Sequence, residues 1–173
     1  LGAIRYLVAK NSKTWGGSNP MVVSVRSGAP ISMPGMMETI LNVGLTRDNL
    51  EIFAESRNAS LSSVYDSYRR LIQMYAITVD GVDSKVFSEV YNAFKVFYNG
   101  EFTEEVNRRM VEMFEDIYQV ETGKPFTDDI NEQLIESCNA VFKSWHSDKA
   151  VKYRELEGIS HKMGTAVIIQ EMV

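Results

Sequence analysis

Residues 23–45 read VSVRSGAPISMPGMMETILNVGL, an apolar run that ends on a single charge, Arg26, and then enters two glycine-bearing turns and a cluster of methionines. Residues 21–25 have the make-up of a buried strand, bounded upstream by Gly16-Gly17-Ser18-Asn19-Pro20 and downstream by Ser27-Gly28. Residues 36–43 form a second short apolar segment closed by Gly44, and the reading makes it the hairpin or near-neighbour partner of the first. A strand that ends on arginine and leads into so flexible a loop needs a chemical reason.

Because its strand is otherwise apolar, the stem of Arg26 is expected to be partly buried, and a desolvated guanidinium requires an anionic partner. Two partners satisfy that requirement: a carboxylate at the strand end, or phosphate oxygens, which match the donor fork of arginine. Ser27, Gly28, Ala29 and Ser32 supply small residues and hydroxyls just beyond it. Gly28 and Gly35 would let the backbone approach a ligand closely and turn N–H groups toward an anion. The chain has no G-x-x-x-x-G-K-[ST] run, which excludes an ordinary P-loop.

The rest of the chain narrows the class. Its 173 residues are 45% hydrophobic and 24% charged, the profile of a soluble globular chain of one domain or two small lobes. A net charge of −5 argues against nucleic-acid binding, and the Arg69-Arg70 and Arg108-Arg109 pairs, flanked by acids, read as solvated helix faces. No apolar run reaches the roughly 18 residues that span a bilayer, so no membrane role is expected. The single cysteine, Cys138, excludes an internal disulfide and suits a reducing compartment, so the expected location is cytoplasmic. The start at Leu1 and the stop inside GTAVIIQEMV, an apolar β-branched run, read as the cut ends of a piece from a longer protein.

From residue 46 to 158 the hydrophobic period becomes helical. Thr46, Ser60, Thr103 and Ser147 or Asp148 are expected N-caps, and Gly100, Gly123 and Gly158 expected stops. One stripe runs Leu61, Val64, Tyr65, Tyr68, Leu71, Ile72, Tyr75; another runs Val86, Phe87, Val90, Phe94, Phe97. A later one runs Ile130, Leu134, Cys138, Val141, Phe142, Trp145, and residues 164–173 return to strand. The order strand, strand, about five helices, strand predicts an α+β chain, helix-rich, with a small incomplete sheet and a helical lobe beside it.

Other candidate sites carry less. His146 and His161 are isolated and lack acidic partners at ligand spacing, Cys138 falls on an apolar stripe, and Asp66 with Arg69 and Arg70 has the spacing of a helix-surface ion pair.

The quoted stretch closely resembles the signature of the nucleotide-binding domain of the pyruvate, phosphate dikinase family. YDSYRRLIQMY (65–75) resembles that family's first long helix of the helical lobe, AVFKSWHSDKAVKYRELEGI (140–159) the segment leading out of it, and GTAVIIQEMV (164–173) the return strand. The first block is highly specific, and the others gain their weight from their order. Together they cover nearly the whole chain from about Trp15.

The resemblance implies part of an ATP-grasp-like nucleotide-binding domain at the N-terminal end of a three-domain enzyme. Residues 1–45 would hold strands and the nucleotide loop, 46–158 an inserted helical subdomain, and 159–173 the truncated return strand. The enzyme interconverts ATP, phosphate and pyruvate with AMP, pyrophosphate and phosphoenolpyruvate, with Mg²⁺, through a phosphohistidine on another domain of the same chain, and as a full-length homodimer. Carried over, Arg26 would bind ATP phosphates, with Ser27 and Gly28 beside it, and the 32–37 loop would fold over the nucleotide, Gly35 and Met37 making contacts. The phosphate-binding lysine, the acidic metal ligands, the phosphohistidine and the acid/base cysteine would all lie outside this chain, which leaves it inactive alone. Two departures stand out: Glu38 where aspartate is usual, and Trp145-His146-Ser147-Asp148-Lys149-Ala150 where Trp-Asp-x-Pro-Arg-Ala is usual. The competing readings are the related phosphoenolpyruvate synthase domain and a non-catalytic helical interaction module on the same scaffold. The Ser-Gly-Ala…Met-Pro-Gly-Met-Met wording favours the phosphate-using enzyme, and the presence of Arg26 and the glycines argues against the module.

Overall fold

The structure is a computed structural model, and it describes residues 2–172. The elements run α1 (Gly2–Asn11), β1 (Val23–Ser27), β2 (Thr39–Val43), a 3-10 turn (Arg47–Asn49), α2 (Leu50–Arg57), α3 (Leu61–Thr78), α4 (Ser84–Phe97), α5 (Glu104–Thr122), α6 (Ile130–Ser144), α7 (Asp148–Leu156), a second 3-10 turn (His161–Met163) and β3 (Val167–Glu171). This is the α+β, helix-rich arrangement that the hydrophobic pattern predicts. Val173, the last residue of the predicted return strand, lies outside the described residues. Among the described residues, no helix is long and apolar enough to cross a membrane.

β1 is the middle strand of an antiparallel sheet ordered β2-β1-β3. Val25 sits opposite Ile40 on one side and Ile169 on the other, and Arg26 opposite Thr39 and Ile168. The β1–β2 ladder carries a bulge at which Asn42 takes a left-handed φ of 64°. Asparagine tolerates that conformation, and its side-chain amide donates to the Ser67 carbonyl at 2.9 Å, fastening the bulge to α3. β3 is held at its far end by Glu171, which accepts from Lys13 and lies 3.8 Å from Arg57. One contiguous core joins the sheet to the helices, from Val23, Val25 and Ile40 through Leu71, Ile72 and Phe114 to Val141.

Most helix ends follow their caps. Ser60, Thr103 and Ser147 accept from the backbone N–H groups of Ser63, Val106 and Ala150, and Gly123 closes α5 at φ 75°. α1 is an element the sequence reading did not assign, because no cap announces it and only Ile4 of its residues is buried. The stripe on α4 is shorter than its spacing suggests. Phe87 is buried, its ring 5.0 Å from that of Phe114 on α5, whereas Phe97 is 79% exposed. Arg69 also departs from the reading of a solvated face. It is buried against the rings of Tyr91 and Phe114, with Asp66 and Gln73 as partners, while Arg70 alone stays at the surface.

α6 is rotated from the expected stripe. Its buried face is Gln133, Leu134, Ser137, Ala140, Val141 and Ser144, while Cys138 is half-buried and Phe142 exposed. Gln133 on that face is fully buried and serves backbone groups just past β2 and in the α5–α6 connection. Its Oε1 accepts from Gly44 N–H at 3.0 Å, and its Nε2 donates to the carbonyls of Leu45 and Thr127, each at 3.0 Å. Gln133→Leu keeps the bulk and strands those groups, at about 1–3 kcal/mol for each buried group left unpaired. Urea denaturation should show a large loss for Gln133→Leu and a small one for the exposed Asn139→Leu. Equal midpoints would remove Gln133 from this role.

Candidate nucleotide site

The loop after β1 begins at Gly28, whose N–H donates to the Ala166 carbonyl at 2.7 Å and so extends the β1–β3 pairing by one step. Gly28 is small for a steric reason, and its φ is ordinary. A Cβ there would come within 2.9 Å of Ile168 on β3. Gly35 is the opposite case, with φ 71° and open space around it. Met36 N–H donates to the Met33 carbonyl at 3.1 Å, so Met33-Pro34-Gly35-Met36 closes a turn with proline second and a left-handed glycine third, the type II signature.

The loop is seated rather than free. Met33 packs in a small core with Trp145 and Ala150, and Ala29, Met36, Met37 and Tyr153 lie against it. Glu38 N–H donates to Ser144 Oγ at 3.2 Å, and the same hydroxyl lies 3.9 Å from Met37 Sδ. Lys149 Nζ reaches Glu38 Oε1 at 2.5 Å. The end of α6 and the start of α7 therefore grip the far side of the loop.

Its near side opens on a depression of about 470 Å³. Arg26, Ser27, Gly28, Ser32 and Met37 line it, together with Ile168 from β3. Four of the five residues singled out in the sequence thus meet at one place. Gly35 does not line the depression and acts through the turn. Arg26 differs from expectation, since its side chain is exposed rather than partly buried. Val23 and Val25 point into the core, and on the opposite face Ser24 is still buried while Arg26, nearer the strand end, is exposed. Its Nη2 donates to Gln170 Oε1 at 3.1 Å, a neutral partner on β3, and no carboxylate among the described residues pairs with it. One N–H is used, and the rest of the donor fork remains available.

Elsewhere, His146 is exposed on the α6–α7 connection, and His161 Nδ1 accepts from Arg154 at 3.1 Å. Burial pushes the Cys138 thiol up.

Residues 2–173 match the family model described as pyruvate phosphate dikinase, AMP/ATP-binding domain. The chain belongs to this family. It is 42% identical over 176 residues to the pyruvate, phosphate dikinase of Giardia intestinalis, an alignment covering 98% of this chain and 20% of that protein. The Clostridium symbiosum enzyme of the same name is 39% identical over 177 residues, 99% of this chain and 20% of the relative. The chloroplastic enzyme of Flaveria pringlei is 39% identical over 178 residues, 100% of this chain and 18% of the relative. The chain spans about a fifth of the length of these relatives.

The supporting residues were harder to see in the sequence than the loop itself. Gln170 and Ile168 face Arg26 and Gly28 only through strand register, and Ser144 and Trp145 reach the loop only through tertiary packing. The two departures from the family pattern prove to be partners. Glu38 and Lys149, which the resemblance marks as departures, meet as one ion pair. Both groups are substantially exposed, so the pair should order the loop and contribute little to global stability, about 0–1 kcal/mol. Glu38→Asp should speed deuterium uptake in residues 28–38, and Glu38→Asp with Lys149→Arg should recover part of the protection. Uptake unchanged in Glu38→Asp would show that the pair does not hold the loop.

Proposed function

We propose that this chain forms part of the ATP site of a pyruvate, phosphate dikinase, with residues 1–45 and 159–173 belonging to an ATP-grasp-like lobe and 46–158 inserted as a helical subdomain. The complete enzyme interconverts ATP, phosphate and pyruvate with AMP, pyrophosphate and phosphoenolpyruvate through a phosphohistidine carried on another domain of the same chain. A homodimer and a cytoplasmic location belong to the same reading. The observation that carries it is Arg26, which stands near the end of the central strand with no carboxylate partner among the described residues, at the rim of a depression whose size falls in the small-molecule range of about 300–1,000 Å³.

In this reading Arg26 holds phosphate oxygens through two parallel N–H donors, and Ser27 and Ser32 add hydroxyls. The backbone at Gly28 lies close under the nucleotide, and Met37 presents a polarisable apolar edge. Phosphoryl transfer depends chiefly on positioning and charge stabilisation, which is what such residues supply. Mg²⁺ is expected in this family, but the lining of the depression offers no carboxylate, so these residues do not fit as its ligands and would leave that task to others. Without metal ligands the chain alone is expected to lack turnover.

An arginine–phosphate hydrogen bond contributes about 1.5–3 kcal/mol to binding, and a charge-stabilising arginine can matter on the order of 10³-fold in rate. Arg26→Ala in the full-length enzyme should therefore cripple ATP-dependent phosphorylation of the carrier histidine, while transfer between phosphohistidine and pyruvate survives. Arg26→Lys should stay impaired, since a point charge does not reproduce the fork. The two half-reactions are measured separately on folded protein. Equal losses in both would make Arg26 structural, and near-normal rates in both would take it out of the site.

A further inference from the structure

Arg154, on α7, is 1% exposed, and no carboxylate among the described residues pairs with it. Its Nη1 donates to the Trp145 carbonyl at 2.7 Å, its Nε donates to His161 Nδ1 at 3.1 Å, and its guanidinium carbon lies 4.1 Å from the centre of the Trp145 ring. The Trp145 indole N–H in turn donates to the His161 carbonyl at 3.3 Å. Burying a charge among neutral partners is costly, and an apolar side chain of similar volume often serves stability as well or better. The arrangement therefore calls for a role other than filling space.

We propose that Arg154 is a positioning residue for the methionine loop, acting through Trp145; this rests on the reading of that loop as part of the ATP site. Trp145 is fixed at its carbonyl, its ring face and its indole nitrogen, two of them by Arg154 directly. A tryptophan so fixed has one position, and Met33 packs in the small core built on it. Met33 also opens the Met33–Met36 turn, so seating its side chain sets where that turn stands over the depression. Preforming the loop removes an ordering cost that nucleotide binding would otherwise meet. Arginine alone satisfies the geometry, because a planar fork can stack on the ring while donating in its own plane to two acceptors. Lysine would keep the charge and its attraction to the ring face and lose both the planar stacking and the simultaneous bonds.

The test uses the full-length enzyme with Arg154→Lys, Met33→Ala and the double variant. The readouts are deuterium uptake in residues 28–38 without nucleotide, and KM and kcat for MgATP in histidine phosphorylation. Either single change should speed uptake in the loop and raise KM by roughly three- to tenfold, with a smaller effect on kcat. The double variant should be no worse than the more severe single, because both act through one contact chain. The proposal is overturned if Arg154→Lys lowers thermal stability yet leaves loop uptake and KM at wild-type values, or if the two changes add. Met33→Ala leaves the buried arginine intact, so an unchanged loop in that variant also overturns it, even where Arg154→Lys misfolds. Failure of the ATP-site reading looks different: Arg26→Ala would then leave histidine phosphorylation intact, while uptake in the nucleotide-free loop would still decide the role of Arg154.

Discussion

β1 pairs with two strands, and one of them arrives only after the chain has built its longer helices. β2 follows β1 across a single loop, but β3 begins at Val167, beyond α2 to α7. Closing so long a stretch costs conformational entropy, though the cost grows only slowly with length. Against it stands the burial of β1, whose Val23 and Val25 are fully enclosed between the ladders and the helical core. The rest follows from that placement. A middle strand with one face on the core must put its alternate residues on the other face, and Arg26 is one of them.

The uncovered face of the sheet is therefore where Arg26 stands, and the loop after β1 shapes the depression beside it. The loop is tied on one side at Gly28, whose N–H donates to the Ala166 carbonyl just before β3, and on the other to the α6–α7 junction, where Ser144, Trp145 and Lys149 hold Glu38 and Met33. A loop gripped on both sides can present backbone and methionine edges at a fixed height above the sheet. The grip comes from helices far along the chain, which links the helical stretch to the loop after β1 by side-chain contacts and not only by connectivity.

Much of this was legible in the sequence. The strands, the caps Ser60, Thr103 and Ser147 and the stop at Gly123 are local signals with a defined physical cause and read correctly, and the resemblance of residues 23–45 pointed to the right family. What was hidden depended on register and packing. The exposure of Arg26 follows from its place on the opposite face near the strand end, yet its apolar neighbours in sequence suggested a buried stem. Gln133 and Arg154 are polar residues on helices that the sequence does not single out, because nothing local reveals an orphaned carbonyl or an indole ring waiting in the interior. Phe97 shows the reverse failure, where a helical period continues past the point at which α4 still has a neighbour. Glu38 and Lys149 were each visible as a departure from the family pattern, but only the fold shows that they meet.

The central claim is that Arg26, at the end of β1, is an ATP phosphate ligand held ready by a preformed loop. The most direct measurement is a structure of the full-length enzyme with a non-hydrolysable MgATP analogue, read at the Arg26 guanidinium. The account predicts that it leaves or shares its bond to Gln170 and places two nitrogens about 2.7–2.9 Å from phosphate oxygens, with the 33–36 turn unmoved. A nucleotide bound elsewhere, with Arg26 still bonded to Gln170 alone, would contradict it.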